Sequence, residues 1–263
     1  MINNWKKNTI YISLMQLTLL LVNFFLITII SRVYGAEIYG EYASSKSLSV
    51  LIGTAIVMSL ALVVTKFLAQ KNESSKLMFQ NAYSLILRNL MLSFIILIPL
   101  TLFLKRDLPM TILFLIGFVF NEMIHVALAY YQAKGDFVTS SKQIMLRTII
   151  YGLGAWILVT QGFSILSLIM FQVITLVSFF AVAHFSIPKN DIELNSNKSV
   201  KNNLQASGKK MVLTTFSSAL ISELDIVLLG LFYSGSALGV LAWSRRILEI
   251  VFQLVAASLD ILF

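Results

Sequence analysis

The stretch IYISLMQLTLLLVNFFLITII, residues 10–30, decides the fold class. It carries no charged residue, and one bilayer span needs about 20 mostly apolar residues. A secretory signal core is shorter, about 7–15 residues, and no Ala-x-Ala site follows this run, so it reads as a retained membrane helix. Similar runs recur at roughly 43–68, 83–104, 109–131, 143–159, 163–187 and 211–232, and from 238 onward. None alternates with period two, which argues against a β-barrel. The chain is 58% hydrophobic and 12% charged, against roughly 25% charged in soluble domains. A soluble globule and a disordered chain are both excluded. The expected fold is all-α, a polytopic membrane protein of about eight transmembrane helices.

Composition removes several chemistries. There is no cysteine and there are two histidines, His125 and His184. Disulfides, thiolates and a zinc site are therefore not expected. No Gly-rich phosphate loop with Lys and Ser/Thr is present, so ATP hydrolysis is not expected, and no cofactor is implied. The formal charge of +8 invites a nucleic-acid reading, but the lysines follow topology instead. With the N-terminus in the cytoplasm, one side holds twelve: Lys6, Lys7, Lys66, Lys71, Lys76, Lys134, Lys142, Lys189, Lys198, Lys201, Lys209 and Lys210. The other side holds Arg32, Lys105 and Arg106. That is the positive-inside pattern of a multi-pass protein. Asn72-Glu73-Ser74 and Asn197-Lys198-Ser199 match the glycosylation pattern but fall on the lysine-rich side and are read as chance.

An offset of 199 aligns Tyr34 with Tyr233, Gly40 with Gly239, Ala43 with Ala242, Ser45 with Ser244, Lys46 with Arg245 and Leu48 with Ile247. Gln16 then falls on Thr215, and Asn23 on Ser222. An even number of helices separates the copies, so both share one orientation, the arrangement of parallel-repeat transporters. The expected organisation is a six-helix lobe over 1–188, a cytoplasmic linker over 189–208, and the first two helices of a second lobe over 209–263.

Ile30-Ser31-Arg32-Val33-Tyr34-Gly35 with Ile38-Tyr39-Gly40-Glu41-Tyr42 resembles the junction of the first two helices in polysaccharide (O-antigen type) flippases. These belong to the multidrug/oligosaccharidyl-lipid/polysaccharide exporter superfamily. Ala133-Lys134-Gly135-Asp136 and Leu224-Asp225-Ile226-Val227-Leu228-Leu229-Gly230 resemble two further family segments. The resemblance implies a flippase of the bacterial cytoplasmic membrane. Its substrate would be an undecaprenyl-pyrophosphate-linked oligosaccharide for surface polysaccharide, such as the O-antigen of lipopolysaccharide. It also implies membrane lipids as partners, a coupling ion (proton or sodium), and alternating access without covalent chemistry. Family members usually carry two complete lobes, so a partner chain completing the second lobe is expected, and this chain alone is not expected to transport. The alternatives are an inactive truncated flippase, an ion-coupled multidrug exporter, and an integral-membrane polymerase or sugar transferase. The last needs a carboxylate or Arg cluster in the loops, where only scattered acids occur.

A charge at the centre of a span costs roughly 2.5–3.5 kcal/mol and so marks function by default. Glu122 and His125 share a face of the fourth helix, as a proton-responsive pair or an interhelical contact. Asp225 continues a stripe of Thr214, Ser218 and Ser222, and Gln16 and Asn23 make a milder stripe in the first helix. Such stripes either glue helices together or face an aqueous cavity. Lys46, Arg245 and Arg246 are placed just inside the outer ends of their helices, as snorkelling anchors or as a ring of cations for a pyrophosphate. Arg32 and Arg88 are further cavity candidates, though snorkelling is favoured for Arg88 and Arg147. The first helix holds no acid, whereas related multidrug exporters commonly use one there. With the cations, that absence favours an anionic lipid over cationic drugs.

Overall fold

A computed structural model describes residues 2–70, 77–191, 197–233 and 235–262. Among them the fold is all-helical: α1 (Ile2–Val57), α2 (Leu60–Ala69), α3 (Met78–Phe103), α4 (Leu108–Ala133), α5 (Phe137–Thr160), α6 (Ile165–Phe185), a 3-10 turn (Lys189–Asp191), α7 (Lys198–Phe232) and α8 (Ser236–Leu262). Six helical stretches are long and apolar enough to cross a membrane. The first of these, Lys6–Ala69, covers 64 residues and would extend about 96 Å if straight, three times a bilayer core. It is bent instead at Gly35, which takes φ 82° and ψ 167°. Residues 20–30 of the first arm and 39–46 of the second line one cavity, so the arms fold back on each other. With α3 to α7 and the more charged α8, this gives the expected eight passes.

Caps in the sequence set the boundaries. Asp107 accepts from Met110 N with Pro109 in the first turn, Asp136 accepts from Thr139 N, and Ser164 from Ser167 N. A side-chain acceptor there satisfies one of the free N–H groups of a helix start. Ala133-Lys134-Gly135-Asp136 is accordingly a stop, a left-handed Gly135 at φ 76°, and a restart. Glycine takes that φ without steric cost.

Three expectations need correction. The second span is not continuous to residue 68: Met58 and Ser59 both adopt left-handed φ, 54° and 51°, and α2 starts afresh at Leu60. Cross-helix partners hold the break. Asn89 Nδ2 donates to Ile56 O at 2.9 Å, and the Ser59 and Thr215 hydroxyls lie 2.8 Å apart. The linker read over 189–208 is helical from Lys198, because Asn197 Oδ1 caps Ser199 N and Val200 N and because Val200 and Leu204 are buried. α5 starts at Phe137 rather than near Gln143, since Asp136 is its cap. The Asn72-Glu73-Ser74 site, Lys71 and Lys76 lie outside the described residues, as do residues 192–196.

The second arm of α1 packs along α8 through small residues. A β-carbon on Gly239 would lie 1.7 Å from Ala36 O, and one on Gly40 would lie 2.8 Å from Gly239 N. Gly40 and Gly239 are offset mates, and so are Ser47 and Arg246, which meet at 3.5 Å. Contact between mates is the pattern that a two-fold relation between these helices gives near its axis.

Candidate functional site

Lys46 stands eleven residues past the bend at Gly35. At 1.5 Å per residue it stands about 16 Å along the second arm, a distance equal to half a bilayer core of about 30 Å. This corrects its placement near a helix end: Gly35, not Ala43, begins the second arm. Arg245 and Arg246, about ten residues into α8, are equally deep. Lys46 separates two adjoining chambers of about 230 and 220 Å³ that also share Asn23, Tyr151 and Gln172.

The first chamber adds Asn121, Arg147, Thr148 and Thr175. Arg147 Nη1 donates to Asn121 Oδ1 at 2.7 Å, and Tyr151 OH lies 3.5 Å from Gln172 Oε1. Arg147 is ten residues into α5, so it reaches the chamber and does not snorkel to an interface. Glu122 and His125 do not line the chamber, but both lie within electrostatic reach of Arg147. Among the described residues, neither Lys46 nor Arg147 has a carboxylate within 4.0 Å. Both side chains are half-buried, and carboxylates act on them only at longer range, Glu223 and Glu249 on Lys46 and Glu122 on Arg147.

The second chamber contrasts with it. Arg246 pairs with Glu223 and, at 2.7 Å, with Glu249; Glu223 also accepts from Ser47 Oγ at 2.6 Å. Arg245 pairs with Asp225 and, at 3.2 Å, with Glu249. The expected ring of free cations is thus corrected at Arg245 and Arg246: three carboxylates neutralise them and tie α7 to α8 and to the second arm of α1. Glu223 thus pairs across helices. Asp225 lies outside both chambers on an exposed face with Thr214 and Ser218, whose stripe is uncovered among the described residues.

Of the first-helix stripe, Asn23 faces both chambers and Gln16 lies outside them. Arg32 and Arg88 are exposed, Arg88 being held by Asn89 Oδ1 at 3.2 Å. Arg147, Asn121, Tyr151, Gln172 and Glu249 were not foreseen. Glu249 was legible, since it sits three and four residues beyond the two arginines. Arg147 would have been legible from the Asp136 cap.

Fold and site together define a polytopic helical membrane protein with a charged cavity at mid-span. The chain belongs to the polysaccharide biosynthesis protein family, whose model matches residues 61–262. Its role is therefore in polysaccharide biosynthesis. Comparison with curated proteins and with solved structures gives no match.

Proposed function

We propose that this chain, with a further bundle closing its cleft, moves a polyprenyl-diphosphate-linked oligosaccharide across the bacterial cytoplasmic membrane, with its N-terminus in the cytoplasm, by alternating access. It makes and breaks no covalent bond. The observation that carries this reading is the pair Lys46 and Arg147: two mid-span cations without a carboxylate partner, in a chamber lined by Asn23, Asn121 and Gln172. A cation within a span is costly, and at Arg245 and Arg246 close pairing with carboxylates offsets that cost, whereas Lys46 and Arg147 have only longer-range attraction from Glu223, Glu249 and Glu122. A diphosphate entering the chamber would meet a guanidinium that bonds it in bidentate fashion and an ammonium that acts as a point charge. The amides of Asn23, Asn121 and Gln172 would serve the sugar hydroxyls. Glu122 and His125, behind Arg147, are where a coupling proton would act in this reading.

The test uses a strain whose surface polysaccharide depends on this chain. Lys46→Gln and Arg147→Gln are expected to lower surface polysaccharide and to accumulate the lipid-linked precursor on the cytoplasmic face, with Arg88→Gln unaffected at equal expression. Normal export by both variants would overturn the reading.

A further inference from the structure

Between the first arm of α1 and α5 lies a crevice of about 390 Å³, walled by Leu21, Val22, Phe25, Gly152, Leu153 and Trp156. It is apolar throughout and opens outward: Leu21, Phe25, Leu153 and Trp156 are all exposed. Val22 stands in both this crevice and the Lys46–Arg147 chamber, so a single side chain separates them. The seam is thin because of Gly152, whose added β-carbon would lie 2.7 Å from Val22 Cγ1. Val22 is next to Asn23, which lines the chamber, and the crevice therefore lies at the chamber's own depth in the span.

We infer that this crevice holds the polyprenyl chain of an anionic lipid whose diphosphate head occupies the Lys46–Arg147 chamber. The inference rests on the substrate class proposed above and adds a site for the apolar part. Crevice and chamber match such a lipid in both depth and charge. A resident phospholipid keeps its head at the interface, where it could fill the crevice with an acyl chain but bring no phosphate to Lys46 and Arg147. A lipid whose head is in transit has its head at mid-span and its tail leaving sideways at the same level. An apolar slot beside a cationic chamber, with only Val22 between, fits that molecule. The seam of Val22 and Gly152 is then where the chain passes between bilayer and chamber.

The chain has no cysteine, so Leu153→Cys gives a single attachment point on an exposed position. The full chain carrying a benzophenone there is placed in phospholipid nanodiscs with undecaprenyl diphosphate as a minor lipid and irradiated, and the adducts are weighed by mass spectrometry. Radiolabelled undecaprenyl diphosphate retained by the protein is counted in parallel. Undecaprenyl adducts are expected about tenfold or more above that lipid's share, and this enrichment should disappear in the Lys46→Gln/Arg147→Gln variant. Leu21→Cys on the opposite wall should behave alike, while Leu92→Cys on the outer face of α3 should report the bulk composition. Retention that depends on Lys46 and Arg147, with bulk-like adducts at both crevice positions, overturns the crevice and leaves the chamber. Absence of retention overturns both.

Discussion

Lys46, Arg147 and Arg246 show how much a side chain's neighbours decide. All three are cations within spans, yet Arg246 is matched directly by Glu223 and Glu249 whereas Lys46 and Arg147 have, among the described residues, no carboxylate within ion-pair distance. Structural and functional charges should respond differently to removal. Glu223 is 7% exposed and satisfies both Arg246 and Ser47. Glu223→Gln is expected to cost up to about 3 kcal/mol, the lower end for a broken buried pair because Arg246 keeps Glu249. Thermal unfolding in detergent would show this as a lowered midpoint, and a second change, Arg246→Gln, should recover part of it. Lys46→Gln should leave the midpoint unchanged or raise it, since it removes a desolvated charge. A larger loss at Lys46 than at Glu223 would reverse the two roles. The residue types at these sites were legible in the sequence, but their pairing was not. Arg245 and Arg246 look alike as letters, and only the approach of α7 reveals which carboxylate each one meets.

Helix junctions divide between those whose chemistry is local and those set by packing. Asp107, Asp136 and Ser164 cap their helices within three residues, so these starts can be read directly. The break at Met58 and Ser59 cannot, because neither residue favours left-handed φ and their partners, Asn89, Thr215 and Gly208, come from α3 and α7. The Gly40 and Gly239 matches gave the repeat but not its packing consequence. Gly239→Ala should separate the second arm of α1 from α8, since its β-carbon would lie 1.7 Å from the Ala36 carbonyl. Gly117→Ala is the control, because its β-carbon would meet only Leu176 and Val173 at 3.5 and 3.6 Å. Unfolding midpoints should fall sharply for the first and hold for the second. Equal behaviour of the two would contradict the close approach.

At the scale of the molecule, two ends are distinguished by what gathers there. Asn8 bonds Gly135 O, Lys134 pairs with Asp191, and Lys201 donates to Ser84 Oγ, so one end collects many of the lysines. The other joins Tyr34 to Phe163 O and Arg106 to Gly230 O. If the lysine-rich end is cytoplasmic, Asn202→Cys should be protected from impermeant thiol reagents in intact cells and Ala36→Cys labelled; the opposite pattern would invert the topology. The exposed stripe of Thr214, Ser218 and Asp225 is where, in the proposed reading, a further bundle closes the cleft. Charge distribution made the topology legible, and the offset of 199 made the helix pairing legible. The cavity was not, because its walls come from α1, α4, α5, α6, α7 and α8 at once. In the proposed transport step an anionic lipid head meets Lys46 and Arg147. The most direct measurement is the affinity of the chain in nanodiscs for undecaprenyl diphosphate, compared with the Lys46→Gln/Arg147→Gln variant at equal folding. A loss of about tenfold or more, roughly 1.4 kcal/mol, is predicted, and unchanged affinity would contradict it.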